Sequence, residues 1–318
     1  MKVLVTGGAG YIGSHVVMGL CESGHEVVVI DNLSSGEKSA VDSRATFIEG
    51  SIQKKEDLSQ CFEGVDTVVH LAALKSVNGS MQFPQKYSEN NITGTLSVLE
   101  TMHENNVKHI IFSSTAAVYG DPQYLPLDEK HPLKPVNFYG YTKLSAENLF
   151  EWYKKLMGIS YISLRYFNAA GYDASRRIKY LEKNPQNLIP IIMEVAAGER
   201  DKVDVFGDNY DTPDGTGIRD YIHVSDLVKA HLNALELIHT NKSAIINLGS
   251  EQQYSVMDVI KIAEKISGKD IPFNIVDRRS GDPEKIYTST EYAKKMLNWS
   301  AEQSSIENII ETTCSVYK

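Results

Sequence analysis

Apolar positions along the first half of the chain follow two alternating rhythms. Short runs rich in β-branched residues, KVLVTG, EVVVIDN, ATFIEG, VDTVVHLAA, KHIIFSST and SYISLRYFN, read as strands. Between them, SHVVMGLCESG, ITGTLSVLETMHENN and TKLSAENLFEWYKKLMG repeat their apolar residues at helical spacing. Strand, helix, strand in repetition predicts an α/β fold, a doubly wound parallel sheet covered on both faces. Beyond about Asn168 the alternation weakens, and Pro185, Pro190 and the loop FGDNYDTPDGTGIRDY interrupt it. Residues 1–168 are therefore expected to form the larger domain, with a segment near 219–247 returning to it. Residues 169–318 are expected to supply mainly a smaller C-terminal α/β domain whose loops shape a pocket.

Composition narrows the function classes. With 318 residues, 42% hydrophobic and 23% charged, the chain reads as an ordinary globular protein large enough for two domains around a cleft. A formal charge of −9 argues against nucleic acid as a partner, because binding phosphate backbones calls for a basic surface. A small anionic substrate held by a few arginines stays compatible with it. No apolar run is long enough to span a membrane, and MKVLVTGG enters a strand pattern at once, so no membrane association and a cytosolic location are the expectation. Cys21, Cys61 and Cys314 are odd in number and far apart, which points to reduced structural thiols and to no metal site.

The first strand runs into TGGAGYIGSH, where Gly7, Gly10 and Gly13 repeat at three-residue intervals. Glycine is needed at such a turn because the backbone must approach a pyrophosphate and the following helix must pack close to the strand. A glycine turn alone is weak; its place between a strand and a helix, with Asp31 ending the next strand, gives the Rossmann dinucleotide reading. Asp31 can accept hydrogen bonds from a ribose diol and would repel a 2′-phosphate, and no basic residue follows before Lys38. NAD is therefore expected rather than NADP.

NFYGYTK, residues 137–143, sets Tyr139 and Tyr141 beside one lysine. On a helix Tyr139 shares a face with Lys143, whereas Tyr141 points away from it. Lys143 is also four residues from Glu147, so a plain surface ion pair is an open alternative. The pair begins the helix after a strand ending in Ser113, Ser114 and Thr115, and ligands of doubly wound sheets bind outside such strand ends.

These stretches together, TGGAGYIGSH, HLAALK, FSSTAAVYG, YGYTK, RYFNAAG, NLIP, DGTGIRDYIHV and RRSGDP, resemble the extended short-chain dehydrogenase/reductase family, and within it the UDP-sugar 4-epimerases. The resemblance implies that Tyr139 is the base, that Lys143 lowers its pKa and holds the nicotinamide ribose, and that Thr115 binds the substrate hydroxyl. Bringing a tyrosine from about pKa 10 to about 7 requires roughly 4 kcal/mol. A cation about 4 Å away supplies roughly that much at an effective dielectric near 20. On the cofactor side the resemblance adds Tyr11, Ile12, Asn32, Ser51, Ile52, Leu71, Ala72, Lys75, Asn90 and Phe167. Ser51 stands where the family usually has an aspartate contacting adenine. For a UDP-hexose substrate it implies Asn168, Asn187 and Leu188, then Asp204, Val205 and Phe206 around the uracil. Arg219 and Arg279 are implied at the diphosphate, as forked permanent cations suit it, with Tyr221 and Asp282 completing the pocket. Ile286 falls at the position that gates N-acetylated sugars, and its intermediate size leans towards UDP-galactose and UDP-glucose with the acetylated sugars left open. Ala116 and Ala117 occupy the places where family dehydratases carry an acidic pair, which argues against dehydration. His70 reads as structural. A homodimer through residues 90–105 and 141–157 is what the family implies, although the same apolar stripes would serve an internal core. Rival readings are a binding protein that has lost catalysis and a net dehydrogenase.

Overall fold

The computed structural model describes residues 1–279 and 281–317. Strands β1 (Lys2–Thr6), β2 (Glu26–Asp31), β3 (Thr46–Glu49), β4 (Thr67–His70), β5 (His109–Thr115) and β6 (Ser160–Tyr166) are joined by parallel pairing. After β7 (Asn168–Ala170), β8 (Val203–Phe206), β9 (Ile218–Arg219) and β10 (Tyr221–His223), the chain returns with β11 (Ala244–Leu248) beside β6. The result is a seven-stranded sheet in the order β11-β6-β5-β4-β1-β2-β3. The sheet is doubly wound and parallel, as the alternation predicts.

The period of two in the strands divides the core. Val3 and Val5 face one side, where α1 (Tyr11–Glu22) contributes Val16 and Leu20. Leu4 faces the other, which holds Leu58 of the short α2 (Lys55–Ser59). The short helices α3 (Val77–Gln82) and α4 (Pro84–Tyr87) then lead through a π-helical stretch, residues 88–93, into α5 (Gly94–Glu104). Leu99 of α5 and Phe150 of α6 (Phe138–Met157) cover that second face. A separate core gathers Ile192 of α7 (Leu188–Ala196), Val205 of β8, Ile260 of α9 (Val256–Ser267) and Ile310 of α11 (Ile306–Cys314). Between these last helices, α8 (Val224–Ile238) lies on the central sheet and α10 (Glu291–Leu297) packs against it. Among the described residues no helix is long and apolar enough to cross a membrane. The three cysteines are buried and free.

One boundary differs from the periodicity in a useful way. The apolar rhythm starts at Thr142, but α6 begins at Phe138, because Asn137 Oδ1 accepts the Gly140 amide at 2.8 Å and caps the helix. NFYGYTK is thus a cap and a first turn, and the cap fixes Tyr139 near the helix start. Such a cap also pins the chain direction at the sheet's edge of loops.

The irregular C-terminal segments are held to the sheet through Asp220, which lies between β9 and β10 and is fully buried. Its carboxylate accepts from Ser250 N and Oγ at 2.7 and 2.9 Å, and from Glu251 N and Thr288 N at 3.2 Å each. Its carbonyl accepts from Asn168 N at 3.1 Å and from Asn168 Nδ2 at 2.8 Å. One residue therefore ties together the loops that flank Arg219. Asp220→Ala should strand several of these donors and cost about 2 to 4 kcal/mol in urea unfolding, whereas an unchanged midpoint would contradict the anchoring role.

Candidate active site

A cleft of about 760 Å³ opens along the carboxyl ends of β1, β2, β4, β5 and β6. Its volume lies within the usual range for ligand clefts. One end is built by the glycine turn. Gly7 has φ +74°, and a Cβ there would stand 2.7 Å from Ala72 N; a Cβ on Gly13 would stand 2.1 Å from Gly7 O. Only glycine lets the turn, the loop after β4 and α1 close so tightly. Helix α1 starts at Gly10 with no side-chain cap and no acidic residue in its first turn. Its amide end is therefore free to bind an anion.

Asp31 Oδ2 accepts from Ala9 N at 3.0 Å and Oδ1 from Leu33 N at 2.8 Å. Burial raises its pKa, against the pull of these two bonds. Each oxygen keeps a second lone pair for a ligand hydroxyl. Tyr11, Ile12, Asn32, Ile52, Leu71 and Ala72 line this end with the glycines. Ser51 stands just beside this end: its amide donates to Asp57 Oδ2 at 2.8 Å and its hydroxyl accepts from Gln53 N, while its neighbours Gly50 and Ile52 line the cleft.

The opposite wall carries the reactive groups. Tyr139 N donates to Ser80 Oγ at 3.0 Å, which fixes the first turn of α6 to α3. Tyr139 and Thr115 line the same stretch of the cleft, and the Thr115 hydroxyl favours the ionised phenol. Lys143 Nζ donates to Ser113 O at 2.7 Å and lies 4.7 Å from the Phe112 ring centroid and 6.0 Å from that of Tyr139. Tyr141, by contrast, is 51% exposed and stacks on Phe138. Helical geometry thus separates the tyrosines as their spacing predicts. The surface-pair alternative fails, because Lys143 and Glu147 are both 2% exposed and Glu147 pairs with Arg165 at 2.6 Å.

Burial works against ionisation of both groups. Burial pushes Tyr139 up to about 12, the Thr115 bond opposing. Burial pulls Lys143 down to about 7, the charge on Glu147 opposing. Each group is driven towards its neutral form, since the low dielectric penalises whichever is charged. His70 is neutral for the same reason and bonds Thr6 Oγ1 at 2.7 Å and Thr95 Oγ1 at 2.9 Å, a structural placement.

At the far end Asn168, Asn187, Arg219, Arg279, Asp282 and Ile286 line the cleft. Arg219 and Asp282 form an ion pair, so Asp282 meets an arginine rather than standing open. The Arg279 guanidinium sits 3.7 Å from the Phe206 ring centroid, and burial lowers its pKa. Two guanidiniums on one wall suit a diphosphate. Five expected residues lie outside the lining. Phe206 is behind Arg279, Asp204 is exposed on β8, Val205 and Tyr221 belong to the C-terminal core, and Leu188 begins α7 and packs on that core.

Asn90 and Phe167 line the cleft, and so does Lys75, whose Nζ pairs with Glu182 at 2.7 Å. Glu182 belongs to a segment folded over the cofactor end, in which the Tyr180 hydroxyl donates to Ser35 O. Neither residue carries a sequence signal, since the contact is made between distant irregular loops. Asn91, next to the expected Asn90, was also missed. It is buried, and its side chain bonds Leu74 N at 2.8 Å, and Leu74 O and Thr142 Oγ1 at 3.0 Å each, locking the loop after β4 to α6. Its signal is the π-helical turn, which periodicity alone does not reveal.

Residues 3–249 match the NAD dependent epimerase/dehydratase family. The chain belongs to that family. A UDP-glucose 4-epimerase of Halalkalibacterium halodurans is 44% identical over 100% of this chain and 96% of its own length. The solved UDP-glucose 4-epimerase of Brucella ovis in complex with NAD is 38% identical, with a TM-score of 0.96 over 99% of this chain and 98% of that one. The corresponding enzyme of Bifidobacterium longum, solved with NAD+ and UDP, is 37% identical with a TM-score of 0.95 over 99% and 98%.

The family's cofactor, NAD, fits the residues present. The tight glycine cradle and uncapped α1 suit its pyrophosphate, and Asp31 suits a ribose diol. A side chain at Gly13 would collide with backbone, which cannot swing aside. Heat denaturation of the wild type should therefore release about one NAD per chain, and Gly13→Ala should release almost none. Equal release from both would contradict the cradle.

Proposed function

We propose that the chain interconverts UDP-galactose and UDP-glucose at C4 of the sugar, with Tyr139 as the proton-transfer group. One observation carries the reading: Tyr139, Thr115 and Lys143 share a single cleft with a dinucleotide cradle at one end and Arg219 and Arg279 at the other. The two arginines would hold the diphosphate of the substrate, and Asn168 and Asn187 would line the path to the sugar. Thr115 would orient the 4-hydroxyl towards Tyr139, with which it lines the cleft.

Ionised Tyr139 would take the hydroxyl proton, with Lys143 as ammonium compensating the negative charge. Bound NAD would supply the hydride acceptor and, once reduced, the hydride that returns to C4, together with a positive ring charge in its oxidised form. The neutral Tyr139 would then return its proton to the same oxygen after the 4-keto sugar has presented its other face. Ala116 and Ala117 line the cleft next to Thr115, and neither can move a proton as a dehydratase would require. Ile286 at the sugar end and the names of the full-length relatives favour unacetylated hexoses.

The enzyme is proposed to act in the cytosol as a homodimer. Tyr141, Trp152 and Leu156 of α6 are 51%, 59% and 69% exposed, an apolar face on the helix expected at the contact.

Tyr139→Phe removes the proton-transfer group while keeping the ring. Turnover of UDP-galactose to UDP-glucose should fall by about three orders of magnitude or more, with KM changed little. Near-normal turnover in that variant would refute the role.

A further inference from the structure

Glu147 lies one helical turn beyond Lys143, where its place in the sequence suggests a surface charge. It is instead 2% exposed and fully engaged. Its Oε1 accepts from Ser114 Oγ at 2.6 Å and from Arg165 Nε at 3.0 Å, and its Oε2 from Arg165 Nη2 at 2.6 Å. Arg165 continues the chain by donating to the Tyr119 hydroxyl at 2.9 Å, which donates to Asn247 Oδ1 at 2.7 Å. Asn247 belongs to β11 and Arg165 to β6, in register with Ser114 of β5. A single carboxylate thus joins the helix carrying Tyr139 and Lys143 to the strand that ends in Ser113, Ser114 and Thr115.

Such a pair is costly to bury, and apolar residues of similar size would often hold the fold as well. Its location suggests a reason to keep it. Tyr139 must meet Thr115, and Lys143 must meet the Ser113 carbonyl, so the helix cannot slide along the strand without separating both. We propose that Glu147 is a positioning residue of the reaction, holding α6 in register on β5 through Ser114 and Arg165 and setting a carboxylate one helical turn from Lys143. The inference rests on the epimerase reading and extends it to groups that touch neither substrate nor cofactor.

The surroundings of Lys143 support the electrostatic half. Its own helix presents Tyr139 and Glu147; β5 presents the Phe112 ring and the Ser113 carbonyl; β4 presents His70, which burial and then the Lys143 charge lower to about 3. On β6, Arg165 pairs with Glu147 at 2.6 Å, and the Tyr166 hydroxyl is turned to His231 at 2.7 Å. The Ser113 carbonyl dipole and the Phe112 ring favour the charged lysine, and among the groups named Glu147 is the one whose charge favours it. Without it, Lys143 should lose its proton at lower pH, and with it the support for ionised Tyr139.

The test uses the full-length, NAD-loaded enzyme. Glu147→Met combined with Arg165→Met removes both charges and keeps the volume, so its melting temperature should stay close to the wild type. Its kcat should fall about tenfold or more, and the alkaline limb of its rate profile should move at least about one pH unit lower, with KM for UDP-galactose little changed. Glu147→Asp keeps the charge but shortens the arm, and should lower kcat several-fold while leaving the alkaline limb in place. It also serves if the double variant does not fold. Wild-type kcat and an unmoved limb in the folded double variant, or wild-type kcat in Glu147→Asp, would overturn the role. Failure of the wild type itself to epimerise UDP-galactose would instead overturn the reading on which it rests.

Discussion

The site depends on placing two ionisable side chains, the buried Lys143 and the half-buried Tyr139, where protein replaces much of the water that would stabilise either charge. Burial, against the opposing pull of Thr115 and of the Glu147 charge, pushes the phenol up to about 12 and the amine down to about 7. In such a place a phenolate is favourable only when cations lie near it, because a low dielectric amplifies both the penalty of an isolated charge and the attraction of a paired one. Base strength is therefore not a standing property of Tyr139. It is expected to follow the occupation of the cleft, which links the proton step to the presence of cofactor and sugar.

That constraint makes geometry more exacting than the residue types suggest. The Asn137 cap starts α6 early enough to carry Tyr139, Ser80 holds the same turn, and Asn91 locks the helix to the loop after β4. On the substrate side, Asp220 gathers the loops around Arg219, and Asn168 bonds its carbonyl. Polar residues buried beside the cleft thus spend their hydrogen bonds on fixing loops, while those facing it, such as Asp31 and Thr115, retain capacity for a ligand.

Much of this was legible in the sequence, for physical reasons that can be named. The period-two and helical rhythms gave every strand of the first six, since a sheet buried on both faces leaves little freedom in composition. The four-residue spacing distinguished Tyr139 from Tyr141 because a helix enforces it. What spacing could not supply was burial: the same rule that paired Tyr139 with Lys143 also offered Glu147 as a surface partner, and only the fold shows Arg165 arriving from β6. Ser51, Val205 and Tyr221 lie outside the cleft lining, because a motif gives order along the chain and not which way a side chain turns. The Tyr180 and Glu182 segment was invisible, as it is irregular and meets residues more than a hundred positions away.

The central claim is that hydrogen leaves sugar C4 and returns to the same carbon while Tyr139 handles only the hydroxyl proton. Its most direct measurement is conversion of UDP-galactose deuterated at C4, with the product examined by NMR and mass spectrometry. The account predicts UDP-glucose that retains deuterium at C4 in ordinary water. Loss of the label to solvent, or no UDP-glucose at all, would contradict it.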